Sequence, residues 1–258
     1  LRAVDAPVYG PPYALALIRH RLEELDFDGK VDLRPLEHGR SIGFGLFEIE
    51  PYRVHHSIPD TLGLVIRTEV GNIVHTGDFK IEANPSRGQH FDRHILERAS
   101  KEGVRLLLSD STNVDVEGDS GEESRVLEAL EPIFDRARAR IVIGTFASNA
   151  HRLAALIDMA YRHRRKVCLL GRSMRTHARI ATELGLVGEA ARAIVMPERA
   201  RRIPRDELVV LATGSQGEEA AALSRLARGT SPDLELEAGD IVVLSSRVIP
   251  GSERVVHE

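Results

Sequence analysis

The sequence predicts an α/β protein in two regions: a hairpin-rich β region to about residue 122, then a doubly wound α/β region built on a parallel sheet. Three observations carry this. Beyond residue 120, wholly apolar runs of strand length alternate strictly with helical patterns, which marks a parallel sheet covered on both faces. Before residue 120, shorter strand-like runs follow one another with turn residues between them. Between the two lies DVEGDSGEES (115–124), rich in Gly, Ser and acid, as a linker is. A chain of 258 residues is long enough for two such domains, each with its own core.

In chain order, ALALIRHRLEEL (14–25) has helical spacing, and VDLRPL and FGLFEIEPYRVHH read as strands. LVIRT-EVG-NIVHT is predicted to be a hairpin with Gly71 in its turn. HILERASKEG reads as a helix ending at Gly103, and VRLLLSD as a buried strand. Then helix and strand pair in turn: EESRVLEALEPIFDRAR with RIVIGTF, HRLAALIDMAYRHR with KVCLLG, and THARIATELG with a less regular stretch. ELVVLATG, the helical GEEAAALSRLARG and DIVVLSS close the chain.

Composition is that of a globular protein, 42% hydrophobic and 29% charged. The net charge of −4 excludes an overall basic footprint, so nucleic-acid binding would require a local basic groove. No apolar run approaches the roughly 20 residues that span a membrane. The single cysteine, Cys168, excludes an intrachain disulfide; within VCLL it reads as a buried inert thiol in a reducing compartment.

Chemistry concentrates in VHHSIPDTLGLVIRTEVGNIVHTGDFK (54–80), which holds three of the eleven histidines. His56 and Asp78 each sit just past an apolar run, where strand ends present side chains to a cleft. Neutral imidazole and carboxylate are the ligands zinc takes. His55 and His56 point to opposite faces if extended, so one at most would face a metal. His75 faces away from Asp78 and reads as a packed or supporting residue. Two ligands do not make a zinc site, and the chain has no H-x-H, H-E-x-x-H or C-x-x-C. From spacing alone, half a metal site and ordinary polar strand ends both stand.

The longer words are more specific. HSIPDTLGLVIRTEVGNIVHTGDFK, LLLSDSTNV, RIVIGTFASNAHRL, LGRSMRTHARIATELG, LVVLATGSQGEEAAALSRLARG and GDIVVLSSRVIPGSE, with APVYG near the start, together resemble the ribonuclease J family of the metallo-β-lactamase superfamily. The resemblance implies a partial αββα metallo-β-lactamase domain over 1–122 and a β-CASP domain over 123–258. It implies a ribonuclease cutting single-stranded RNA internally and from the 5′ end, with two Zn2+ ions and a bridging water. His56 would ligate one zinc, Asp78 would bridge both, and Asp110 in LSDSTN would orient a ligating histidine. By the spacing of its residues alone, Asp110 reads rather as a strand-end acid capping the next turn. The family's H-x-H-x-D-H word and its later histidines are not in this sequence, so the resemblance is to an internal fragment, expected to hold zinc weakly and to be nearly inactive alone.

TFASNAHR, GRSMR and TGSQGE follow apolar strands, and in open α/β sheets ligands collect at the carboxyl ends of strands. Ser148, Asn149, Ser173, Ser215 and Gln216 can donate hydrogen bonds there, and Arg152, Arg172 and Arg175 supply charge. The resemblance implies that these loops face RNA. Ser and Asn are equally the preferred helix N-caps, so capping turns are the plain alternative. The basic run RHRRK (162–166) reads as a solvated face. At 4% aromatic residues, base stacking would be secondary to phosphate contacts. The family also implies a cytoplasmic location and a homo-oligomer of the full-length protein. The rival readings are a non-catalytic RNA-binding module of the same fold and a metallo-β-lactamase hydrolase with another substrate.

Overall fold

The computed structural model describes residues 6–27, 29–82, 85, 87–88, 90–112, 114–118 and 121–257. The chain divides into two compact units, Leu1–Glu122 and Glu123–Glu258. Residues 119 and 120 of the acidic, glycine-containing linker lie outside the described residues.

In the first unit, β1 (Val8–Gly10) pairs in parallel with β2 (Leu33–Pro35) across α1 (Pro12–Glu24). A five-stranded sheet follows, built from β3 (Ile42–Phe44), β4 (Phe47–Arg53), β5 (Leu62–Arg67), β6 (Asn72–His75) and, after α2 (Arg93–Glu102), β7 (Val104–Leu108). Its order is β3-β4-β5-β6-β7, antiparallel up to β6 and parallel between β6 and β7. The run FGLFEIEPYRVHH, read as one strand, turns at Gly45: its first residue, Phe44, ends β3, and β4 follows the turn. The hairpin of β5 and β6 forms as expected, with Gly71 between the strands. Tyr52, Val54, Val65 and Val74 face Ile95 and Ala99 of α2 in one small core, joined by Phe79 and Phe91. Burial of each such side chain contributes about 1.5–3 kcal/mol.

The expectation of a buried strand at VRLLLSD is overturned. β7 is an edge strand, and Val104, Leu106, Leu107 and Leu108 are between 42% and 59% exposed. A continuous apolar run states that a strand suits cover on both faces; it does not say which chain segment supplies that cover.

The second unit opens with α3 (Glu123–Arg136), then β8 (Ile141–Gly144), α4 (Ala150–Arg162), β9 (Lys166–Leu170) and α5 (Arg172–Glu183). It continues with β10 (Ile194–Val195), α6 (Pro197–Ala200), β11 (Leu208–Ala212), α7 (Ala222–Ala227) and β12 (Ile241–Leu244). All five strands are parallel, in the order β10-β9-β11-β8-β12. The three central strands are buried throughout except at Lys166, the first residue of β9, as their apolar sequence requires. Cys168 lies fully buried in β9, and burial pushes its thiol up to about 12, which keeps it unreactive. Two expectations are corrected. The helix read over GEEAAALSRLARG is confined to α7, and β12, at the sheet edge, leaves Val242 and Leu244 exposed.

A buried ion pair fastens β12 to the sheet. Arg140 precedes β8, and its guanidinium reaches Asp240 at 2.6 Å, with side-chain exposures of 5% and 2%. Arg205 reaches the other oxygen of Asp240 at 2.6 Å. Burial alone would raise the Asp240 carboxyl, but hydrogen bonds from Arg140, Arg205 and the Glu237 N–H outweigh it and hold the group below the usual range. A carboxylate whose folded pKa is depressed contributes stability above its unfolded value, about 3.9, and loses it as pH falls through the folded one. Asp240→Asn should therefore cost about 3–5 kcal/mol at pH 7, because it strands a buried guanidinium. That deficit should shrink as the pH drops below about 4, measured as urea unfolding midpoints across pH.

Candidate metal half-site and strand-end loops

The first unit brings His56, Asp78 and Asp110 together at one end of its sheet. His56 follows β4 through Val54 and His55, Asp78 follows β6 through Thr76 and Gly77, and Asp110 follows β7. Strand pairing brings these strand ends to one side of the sheet, because β4, β5, β6 and β7 are neighbours. Thr76 couples two of them. Its N–H donates to Leu108 O at 2.9 Å, and its Oγ1 accepts the Asp110 N–H at 3.0 Å. Gly77 has φ 61°, in the left-handed region, and a Cβ there would stand 3.1 Å from Leu62 O. The glycine of HTGD is thus required by backbone conformation and by close packing.

The electrostatics of the three groups differ. His56 is half-buried, and burial lowers its pKa; Asp78 and Asp110 pull the other way and Lys80 adds to the lowering. The net result favours neutral imidazole, the form with a lone pair to give. Asp78 is exposed. Asp110 accepts hydrogen bonds from the Thr112 N–H at 2.9 Å, from the Thr112 hydroxyl and from the Phe79 N–H, which hold its carboxyl below the usual range. Asp110 thereby ties its own loop to the one that carries Asp78. It also performs the turn-capping part that its position suggested.

A neutral imidazole beside two carboxylates fits a divalent metal in donor chemistry. It does not fit in number: among the described residues no group of three or more His, Cys, Asp or Glu side chains could hold a metal ion. The arrangement is one imidazole with two carboxylates close enough to act on it electrostatically. His75, expected to pack or to support the site from behind, is exposed and accepts the Gly77 N–H on Nδ1 at 3.0 Å. It shapes the HTGD turn from the solvent side. Sequence reasoning missed Thr76, whose main chain and hydroxyl couple β6 to the loop after β7, and Glu82, whose only signal was an acid two places after Lys80.

In the second unit, Gly144, Leu170 and Ala212 end their strands in one register, so the three following loops leave from a single level edge. Their candidate residues divide into two groups. Ser148, Arg172, Ser173 and Arg175 are exposed. Asn149 instead caps α4, accepting the Arg152 N–H at 3.1 Å. Gln216 is buried; its amide donates to Ser246 Oγ and to Arg247 O, and accepts the Ile249 N–H at 2.7 Å. Ser215 is buried too. The Arg152 guanidinium is engaged by Glu123, with NH2 at 2.8 Å from Oε2, and by Ser245 O at 2.6 Å. These four shape the loops rather than stand open on them. Arg172 and Ser173 lie in the first turn of α5, where N–H groups and the helix dipole favour an anion. Gly171, with φ 108° and Thr213 Oγ1 only 2.4 Å from where a Cβ would sit, lets α5 begin directly after β9.

Residues 138–258 match the family described as Ribonuclease J, beta-CASP domain. Ribonuclease J of Synechocystis sp. is 37% identical over 254 residues, covering 98% of this chain and 40% of that one. Ribonuclease J of Sinorhizobium meliloti is 37% identical, covering 99% of this chain and 45% of that one, and that of Thermus thermophilus is 38% identical, covering 97% and 44%. A crystal structure of a protein of unknown function from Enterococcus faecalis V583 shares the fold at a TM-score of 0.59 and 13% identity, over 93% of this chain and 65% of that one. Fold and comparisons define the class: a mixed-sheet α/β unit followed by a parallel-sheet α/β unit that carries a β-CASP domain. Over nearly its whole length the chain is similar to ribonuclease J proteins, and its residues 138–258 match that family's β-CASP domain. It spans less than half the length of the three ribonuclease J relatives described.

The two groups of strand-end residues should separate on unfolding. Arg152→Ala removes a charged partner of the largely buried Glu123 and the donor to Ser245 O, and should cost about 1–3 kcal/mol. Arg172→Ala removes an exposed side chain and should stay within about 0.5 kcal/mol of wild type. Paired urea titrations of the two variants check this.

Proposed function

We propose that the protein of which this chain is part is a zinc-dependent ribonuclease that hydrolyses RNA phosphodiester bonds, internally and from the 5′ end, in cytoplasmic RNA processing and decay. The observation that carries the reading is the meeting of His56, Asp78 and Asp110 at one sheet end, on words shared with ribonuclease J. We take residues 1–122 as the metallo-β-lactamase portion and 123–258 as the β-CASP portion.

In this reading His56 gives a neutral imidazole nitrogen and Asp78 an open carboxylate able to reach two ions. A divalent metal bound there supplies an activated water and offsets the charge of a phosphodiester. Asp110, held by the Thr112 and Phe79 N–H groups, fixes the loop on which Asp78 stands. Ser148, Arg172 and Ser173 offer donors and one charge to RNA phosphates, while Asn149, Arg152, Ser215 and Gln216 keep those loops in shape. With 4% aromatic residues, affinity for single-stranded RNA would rest on phosphate contacts and depend strongly on salt.

One observation favours the alternative of an RNA-binding module without catalysis for this chain taken alone: the lack, among the described residues, of a group of three metal-capable side chains. The 258-residue chain should accordingly retain far less than one zinc after dialysis, read by elemental analysis, and two tightly held ions would contradict the half-site. In the full-length protein, His56→Ala or Asp78→Ala should lower RNA cleavage by at least about 100-fold while RNA binding persists. Arg172→Ala should weaken RNA binding and reduce the log–log salt slope by about 1. Cleavage unchanged by either ligand variant would remove the catalytic reading and leave the binding module.

A further inference from the structure

The loops that carry His56 and Asp78 are joined by two contacts that neither strand pairing nor a metal accounts for. The Lys80 N–H donates to His55 O at 2.8 Å, forming an isolated antiparallel bridge outside the sheet. On the same spot converge three side chains. Glu82, with its side chain 1% exposed, meets Lys80 Nζ through one carboxyl oxygen and stands 3.4 Å from His55 Nε2 through the other. His55 itself is 5% exposed. The carboxyl thus contacts the residue immediately before His56 and the residue two after Asp78.

Placing a carboxyl in so dry a position costs several kcal/mol unless its partners are well placed. An ion pair whose only service is stability is often no better than an apolar contact of the same volume. What the Glu82 cluster adds is geometry. With the main-chain bridge it closes a small ring through His55, Lys80 and Glu82, and that ring sets the spacing between the His56 and Asp78 loops. We infer that Glu82 is a positioning residue for the His56–Asp78 half-site, acting through His55 and Lys80 on where the two ligands stand. The inference rests on the metal reading proposed above. It assigns no part in the reaction to the Glu82 carboxyl itself.

The test is made in the full-length protein with zinc as the probe. Zinc affinity is measured by competition with a chromogenic chelator, alongside kcat and KM for a short single-stranded RNA and the Tm of the metal-free protein. Glu82→Gln keeps the volume and loses the charge; zinc affinity should fall about tenfold or more, with kcat reduced and KM unchanged. Glu82→Asp should recover part of the affinity. Should Glu82→Gln not fold, His55→Gln removes one side of the ring and should lower zinc affinity in the same direction. A lowered Tm with zinc affinity and kcat at wild-type values would reduce Glu82 to a structural ion pair and overturn the inference. If His56→Ala also leaves zinc affinity untouched, the metal reading itself fails, and that result is separate from any outcome at position 82.

Discussion

One main-chain hydrogen bond, from the Lys80 N–H to His55 O, holds the chemically rich end of the first unit in register. Strand pairing aligns β4 with β5 and β5 with β6, but it ends before the loops that bear His56 and Asp78. Beyond the sheet, nothing in the pleat fixes where those side chains stand. The bridge lies outside the sheet and joins the two loops directly, past the end of β5. Thr76 performs the same service between the Asp78 and Asp110 loops. A few polar contacts at the sheet end therefore decide whether an imidazole and two carboxylates face one another or point apart.

The second unit solves the same problem by a different route. Its parallel strands end level, so its loops need no bridge to share an edge. The polar residues there are spent instead on holding each loop's shape. Asn149 caps a helix, Gln216 clasps residues 246–249, and Arg152 binds Glu123 and Ser245 O. What remains open is small, a few hydroxyls and the Arg172 and Arg175 guanidinium groups, mounted on a scaffold that does not need them for stability.

Much of this architecture is legible in the sequence. The runs RIVIG, KVCLL and LVVLA announce central parallel strands because a strand buried on both faces can be apolar throughout. His56 and Asp78 are legible as candidates because they stand at the ends of such runs, and as a pair because of the longer words around them. VRLLL misleads by the same logic: an edge strand and a central one carry the same residues. The Lys80–His55 bridge is invisible in sequence, since a main-chain hydrogen bond leaves no residue signature. Arg152 and Arg172 look alike in their loops, and what separates them is Glu123, 29 positions upstream of Arg152.

β7 carries one more consequence. Val104–Leu108 offers a row of unpaired main-chain groups along the sheet edge, flanked by exposed branched side chains and interrupted only by Arg105. Such an edge is a template for another strand, and a single charge is a weak guard against self-recruitment. Self-association along this edge would run through residues outside the His56, Asp78 and Asp110 cluster.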